Sequence, residues 1–250
     1  MTEAYPKPAV IFCATQRSGS TMIVDDFQNV TERKRSQSEA LYHKVLAAED
    51  GPKDWPGAIA LLEDLRADDV VFFDKVMFHY LPRLSQMIDP NSAAPECAAF
   101  ASFFRNAVWV HIRRANIFEQ AVSKFMAEAT DVWDKRAVQD ENYNAGLMFD
   151  GEKAKRMVRN FVREDEQWRR FFRLNEIKPI EVYYEDAVGN FPTYLTPVFG
   201  ALGLEADLEK PRDRRMQKLG NERNVQLSGI LRDLMISDLI RTSDRNAKKG

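Results

Sequence analysis

The chain has 250 residues, 36 Lys+Arg against 38 Asp+Glu, a formal net charge of −2 and 44% hydrophobic residues. That apolar content is enough for a core and excludes disorder over most of the length. The near-neutral balance is not the strongly basic field of a dedicated nucleic-acid binder. Two cysteines, Cys13 and Cys97, cannot make a disulfide framework and read as free thiols of a reducing compartment. The opening MTEAYPKPAVIFCATQ has no signal-peptide pattern, and no window reaches the ~18 consecutive apolar residues of a membrane span. The expectation is a soluble cytoplasmic chain with no transmembrane segment and no nucleic acid as partner.

Residues 8–15 (PAVIFCAT) are a short apolar run that reads as a strand buried on both faces. It ends in the small polar stretch Gln16-Arg17-Ser18-Gly19-Ser20-Thr21, after which Met22, Ile23, Phe27 and Val30 recur at helical spacing. Residues 31–57 are polar and read as an excursion over the sheet edge. AIALLEDLR (58–66) is a short helix, VVFFDKVMF (70–78) a second strand, and 82–88 another short helix before the loop DPNSAAPE. AVWVHI (107–112) is a third strand, running into Arg113-Arg114. Asn116 with Glu119 three residues on resembles a capping box for the helix carrying Ile117, Ala121, Val122 and Phe125. A long amphipathic helix covers 152–174, PIEVYY (179–184) is a fourth strand, and a helix over 194–202 stops at Gly203. Strands alternating with helices predict an α/β fold, a three-layer sandwich with a central parallel sheet flanked by helices. No linker divides the chain, so residues 1–250 are expected to form one domain, with 208–250 a C-terminal helical segment that packs back or mediates dimerisation.

The stretch at 14–21 carries the chemistry. A polar loop between a strand and a helix N-terminus offers backbone N–H groups and the positive end of the helix dipole to an anion. Against the phosphate-binding pattern G-x-x-x-x-G-K-[ST], Gly19 keeps the second glycine, Ala14 replaces the first, and Ser20 stands at the lysine position. A triphosphate site loses its main side-chain cation that way. Arg17, inside the loop, can instead clamp a single anionic group.

Thr15-Gln16-Arg17-Ser18-Gly19-Ser20-Thr21 resembles the loop of P-loop-like sulfotransferases, and specifically the bacterial trehalose-type enzymes. A second family motif is matched by Ile112-Arg113-Arg114-Ala115-Asn116 followed by Gln120-Ala121-Val122-Ser123. Weaker likenesses are Phe73 to His79 with Lys75, Thr130-Asp131-Val132-Trp133, and Tyr184-Glu185-Asp186. The resemblance implies that Gln16, Arg17, Ser18, Gly19, Ser20 and Thr21 bind the 5′-phosphosulfate of 3′-phosphoadenosine 5′-phosphosulfate (PAPS). It implies that Arg113, Arg114 and Ser123 bind its 3′-phosphate, without a metal. Arg113 and Arg114 sit where a strand ends, the edge at which α/β proteins bind ligands.

The resemblance also implies a general base about 20 residues after the loop. Glu39 falls 21 residues after Ser18, although the family's E-P is absent and Ala40 replaces an aromatic residue. His79, after a strand end, and His43 compete for that role, since histidine titrates near neutrality; His111, inside a strand, reads as a core residue. The expected reaction is sulfuryl transfer from PAPS to a hydroxyl of a carbohydrate or glycolipid. Arg17 and the loop amides would stabilise the charge that develops, with Lys75 assisting. Residues 31–60 and 131–155 would wall the acceptor pocket, and the basic stretch with Lys210, Arg212, Arg214, Arg215 and Lys218 would lie over the nucleotide or form a solvated face. A homodimer is suggested by the relatives. A P-loop-type small-molecule kinase and a non-catalytic nucleotide-binding relative remain as other readings.

Overall fold

The computed structural model describes residues 3–32, 38–65, 71–94, 96–133, 146–210, 212–216, 220 and 222–247. The four apolar runs form parallel strands β1 (Ala9–Ala14), β2 (Phe72–Met77), β3 (Val108–Arg113) and β4 (Ile180–Tyr183), in the order β2-β1-β3-β4. Every residue of β1 and β2 is buried, the charged Asp74 and Lys75 of β2 included. The chain divides into two compact units, residues 1–115 with 164–215, and residues 116–163 with 216–250.

The first unit holds the sheet. On one face α1 (Ser20–Val30) and α8 (Thr196–Leu202) pack through Phe27, whose ring meets Phe12, Phe73 and Phe199 at 5.3–5.6 Å. On the other face the C-terminal half of α6 (Gly151–Leu174) brings Trp168, Phe171 and Phe172 against Phe78, Trp109 and His111. Trp168 Nε1 donates to the Ala14 carbonyl at 3.0 Å, fixing the last residue of β1 where the loop departs. Three further helices, α2 (Trp55–Leu65), α3 (Leu81–Ile88) and α4 (Ala98–Phe103), bury Trp55, Leu84 and Phe100. Helix α4 and the short α7 (Tyr184–Gly189) were not apparent from the sequence.

The excursion after α1 follows the sheet edge, as its polarity predicts. Lys75 of the edge strand β2 donates its N–H to the Ser38 carbonyl at 2.9 Å. The Asp74 carboxylate accepts from the amides of Ala40 and Leu41 at 3.0 and 2.7 Å. It thereby caps the helical turn Leu41–Leu46, a buried acid replacing the usual Ncap side chain.

The second unit is built from α5 (Ile117–Thr130), the start of α6 and α9 (Glu222–Ala247), around Val122, Phe125, Met126, Met157, Phe161 and Leu231. Asn116 caps α5, its side chain accepting from Glu119 N at 3.1 Å while the Glu119 carboxylate accepts from the Asn116 amide at 3.1 Å. Along α9, Leu227 and Leu231 are buried, whereas Val225, Ile236, Leu239 and Ile240 are exposed.

His111 is a core residue, as expected, but an unsatisfied one: both ring nitrogens are buried without a hydrogen-bond partner, and Nε2 lies 3.4 Å from Asp165 Oδ1 in poor alignment. Burial, opposed by Asp165 and reinforced by Arg113, lowers its pKa from 6.5 to about 4. Between those values the unfolded chain binds more protons than the native one, so this residue makes stability fall as pH drops from about 6.5 to about 4. Asp26 acts the other way, since burial raises its carboxyl from 3.8 to about 6 despite Arg214 and Tyr194, and its contribution grows as pH drops through that range. The stability of the wild type relative to His111→Phe is therefore expected to decline on acidification from pH 6.5 to 4. Chemical unfolding at a series of pH values checks this; a pH-independent difference refutes it.

Candidate active site

The loop between β1 and α1 adopts the geometry of an anion cradle. Ser18 is fully buried and turns the chain back, its Oγ donating to the Thr15 carbonyl at 2.8 Å. Arg17 and Gly19 on either side have positive φ, +60° and +84°. Left-handed backbone at a non-glycine residue costs on the order of 1–3 kcal/mol and collects at functional loops. Gly19 stands at the Ncap of α1, where no side chain caps the helix and no acidic residue occupies the first turn. The first amides of α1 have no intrahelical acceptor, and they open beside the loop.

Gly19 is required twice. Its φ is left-handed, and a Cβ there would lie 2.2 Å from Cδ2 of Tyr184. The Tyr184 ring begins α7 and supports the guanidinium of Arg114, whose Cζ is 4.7 Å from the ring centroid. Arg114 Nη1 donates to the Arg17 carbonyl at 3.3 Å. Glu185, next to Tyr184, accepts from the Ala115 amide at 3.0 Å and faces Arg114 Nε at 4.0 Å. The Tyr-Glu-Asp segment after β4 thus holds the strand end at 113–115 against the loop.

Arg113 goes elsewhere. Its Nε and Nη2 donate to the two oxygens of Asp165 at 3.0 and 3.1 Å, and Nη1 to Tyr183 Oη at 2.6 Å, with Glu181 at 3.4 Å. Of the two arginines named from the sequence, the structure brings Arg114 to the loop and commits Arg113 to α6 and β4. Ser123 lies in the second unit, half-buried on α5.

Glu39 is brought to the loop by a residue named only in passing from the sequence. In the register of β1 and β2, Lys75 pairs with Phe12, on the face covered by α1. Its ammonium is 4% exposed and lies 3.0 Å from Thr21 Oγ1 and 2.9 Å from Glu39 Oε2. Tyr80 Oη is 3.2 Å from Glu39 Oε1 and 2.9 Å from the Lys75 carbonyl. His79 is exposed on the turn Phe78–Tyr80, its ring edge-on to Tyr80 at 5.0 Å and Tyr42 at 6.3 Å; His43 is exposed beside Tyr42. Ser36 and Gln37, which precede Glu39 in the family-like segment, lie outside the described residues, as do Lys218 and parts of the two proposed pocket walls.

The basic stretch near 210 is engaged with α1. Arg214 pairs with Asp26 through Nε and Nη2 at 2.9–3.1 Å and donates to the carbonyls of Ala187 and Val188, while Arg212 and Lys210 face Glu32. Among the described residues there is no group of three His, Cys, Asp or Glu side chains that could hold a metal ion, and no helix is long and apolar enough to cross a membrane.

Comparison with known proteins gives a consistent result. A model of the Stf0 sulphotransferase family matches residues 9–232. Trehalose 2-sulfotransferase of Mycobacterium tuberculosis (strain ATCC 35801 / TMC 107 / Erdman) is 24% identical over 226 residues, covering 78% of this chain and 84% of the relative. The protein of the same name from Mycolicibacterium smegmatis is 24% identical over 235 residues, covering 80% and 86%. Among solved structures, a sulfotransferase from Alicyclobacillus acidocaldarius aligns over 92% of this chain and 93% of its own with a TM-score of 0.51 at 13% identity, a likeness of fold.

The double requirement at Gly19 gives a direct expectation. Gly19→Ala is expected to lower stability by at least about 1 kcal/mol from the left-handed backbone alone. In a Tyr184→Ala background the clash is gone and the backbone cost remains, so the drop in unfolding temperature caused by Gly19→Ala should be smaller there than in the wild type.

Proposed function

We infer the reaction from one premise, that the chain belongs to the Stf0 sulphotransferase family and is an α/β sulfotransferase. The donor is PAPS, the acceptor a hydroxyl of a carbohydrate or glycolipid, and residues 1–250 act as one sulfotransferase domain in the cytoplasm. Trehalose 2-sulfotransferase is the name of the relatives, and a sugar acceptor is the reading nearest to it. The exposed apolar residues of α9 support a homodimer. Family membership weighs against the kinase reading, as does Ser20 at the lysine position.

The residues present fit the donor. An uncapped helix N-terminus behind two left-handed residues suits the 5′-phosphosulfate. Gln16, Arg17, Ser18, Gly19, Ser20 and Thr21 would surround it. Arg114, over the Tyr184 ring and joined to the loop, suits the 3′-phosphate. Arg113 is assigned a supporting part through its ion pair with Asp165. PAPS supplies an activated sulfuryl group and a nucleotide leaving group.

Glu39 is the proposed base. It removes the proton of the acceptor hydroxyl as that oxygen meets sulfur, and His79 is the second candidate. Arg17, the loop amides and the α1 dipole favour the negative charge that builds on the leaving oxygen, and Lys75 keeps Glu39 and Thr21 in one place. The observation that carries this reading is the buried Lys75 ammonium shared between the loop helix and the candidate base.

Losing one preorganised donor at a developing charge typically costs about 10²–10³ in rate. Arg17→Ala should lose that much turnover while unfolding at a near-normal temperature; near-normal turnover with labelled PAPS refutes its role. Calorimetric titration with 3′-phosphoadenosine 5′-phosphate, without magnesium, separates the arginines. Arg114→Ala should abolish binding, whereas Arg113→Ala should bind but unfold earlier. Glu39→Gln should bind the nucleotide normally and lose about 10²–10⁴ in turnover.

A further inference from the structure

The Tyr80 phenol carries one proton and has two acceptors in reach, Glu39 Oε1 at 3.2 Å and the Lys75 carbonyl at 2.9 Å. A single O–H cannot satisfy both at full strength. We propose that Tyr80 is a positioning residue for the Glu39 carboxyl, donating to it when it is ionised and accepting from it when it is protonated. The inference rests on the reading of Glu39 as the base.

The two carboxylate oxygens are not equivalent. Oε2 faces the Lys75 ammonium at 2.9 Å, and an ammonium has three donors and no lone pair. A protonated carboxyl has nothing to donate to on that side. Oε1 faces an oxygen that works in either direction. In the resting state the phenol donates to Oε1, and Lys75 donates to Oε2, so both oxygens are oriented beside Thr21. In the reaction the acceptor oxygen forms its bond to sulfur as the bond from sulfur to the leaving phosphate oxygen breaks. That electron pair departs with the nucleotide, and the acceptor proton passes to Glu39. The phenol then turns its O–H to the Lys75 carbonyl and offers a lone pair to the new Glu39 hydroxyl. No proton is gained or lost by Tyr80, and no heavy atom need move.

Tyr80 is built for this task. It is 2% exposed, and its ring stacks on Tyr42 with centroids 4.9 Å apart. Burial first, then the charges of Glu39 and Asp74, hold its phenol well above the ordinary value of 10.0, so it keeps its proton and serves only as donor and acceptor. Among the described residues, the charged and titratable groups around Glu39 and Tyr80 include Lys75 and Asp74 of β2, Tyr42 stacked on Tyr80, His79 edge-on to it, and His43, whose backbone N–H donates to the Glu39 carbonyl at 2.9 Å. Asp74 is occupied by the amides of Ala40 and Leu41.

The test reads Glu39 directly. Protein labelled with carbon-13 at the glutamate side-chain carboxyls is titrated by NMR, with Glu39→Gln identifying the Glu39 signal. Tyr80→Phe keeps the ring and removes the hydroxyl, and the Glu39 midpoint is expected to move up, because the hydrogen bond lost to the charged form outweighs the one lost to the neutral form. Uniform 3-fluorotyrosine, a stronger donor of nearly the same shape, should move it down. An unmoved midpoint, or the opposite sign in either sample, overturns the proposal, and a merely structural Tyr80 would change the unfolding temperature alone. The measurement needs no acceptor substrate, so it is distinguishable from a failure of the base assignment, which full turnover in Glu39→Gln would reveal.

Discussion

A buried ammonium holds this site together. Lys75 is almost wholly enclosed, and an unpaired charge there would be untenable, since removing one partner of a buried pair costs about 3–5 kcal/mol. Its two partners come from opposite sides: Thr21 from the first turn of α1, and Glu39 from the excursion that follows α1. The need to satisfy one charge therefore fixes the distance between the β1–α1 loop and the candidate base. The same strand supplies the other restraint, because Asp74 holds the amides of Ala40 and Leu41. Consecutive residues of an edge strand point to opposite faces, and here both are used to pin one segment.

The same alternation explains the division between Arg113 and Arg114. Adjacent at a strand end, they diverge. Arg113 goes to Asp165, Glu181 and Tyr183, and Arg114 to the loop. A carboxylate engaged bidentately by a half-buried guanidinium is a strong, oriented pair, so a phosphate would have to displace Asp165 to reach Arg113. Arg114 has a different kind of support. A tyrosine ring beneath a guanidinium attracts its charge through the ring face, without taking up an N–H group. The aromatic residue that provides this support also packs against Gly19, so the two ends of the proposed donor site share one side chain.

The sheet was legible from sequence because each strand lies in a short, largely apolar run, and each run lies within two residues of an observed strand. The loop was legible because Gly19 and the serines around it have few other uses between a strand and a helix. Glu39 was found by its distance from the loop and by resemblance. Its local surroundings are polar and patternless, and what makes it special is a partner 36 positions further on, at Lys75. Asp74 and Tyr80 escaped notice for the same reason: their roles are made by contacts 34 and 41 residues away in sequence. The engagement of Arg113 depends on Asp165, 52 residues on, which no short-range pattern announces. Helices α4 and α7, six residues each, are too short to develop a period.

A loop of backbone amides favours developing charge only if it need not rearrange when that charge appears, and the restraints on α1 are of that kind. At its start, Gly19 is wedged against Tyr184 and the preceding strand end is tied to Trp168. Two turns later Asp26, fully buried, receives Arg214 and the Tyr194 hydroxyl, and Arg214 continues to the carbonyls of Ala187 and Val188 at the end of α7. Helix α7 thus holds α1 at both ends, through Tyr184 at its first residue and through Arg214 at its last turn. A P-loop that uses a lysine can bring its charge to the phosphate on a flexible stem. Here that position is Ser20, and in the proposed reaction the positive potential comes from the helix end and from Arg17, held in a backbone conformation that costs energy. Rigid clamping of α1 is the physical counterpart of that substitution, because dipoles fixed in place do what a mobile cation would otherwise do.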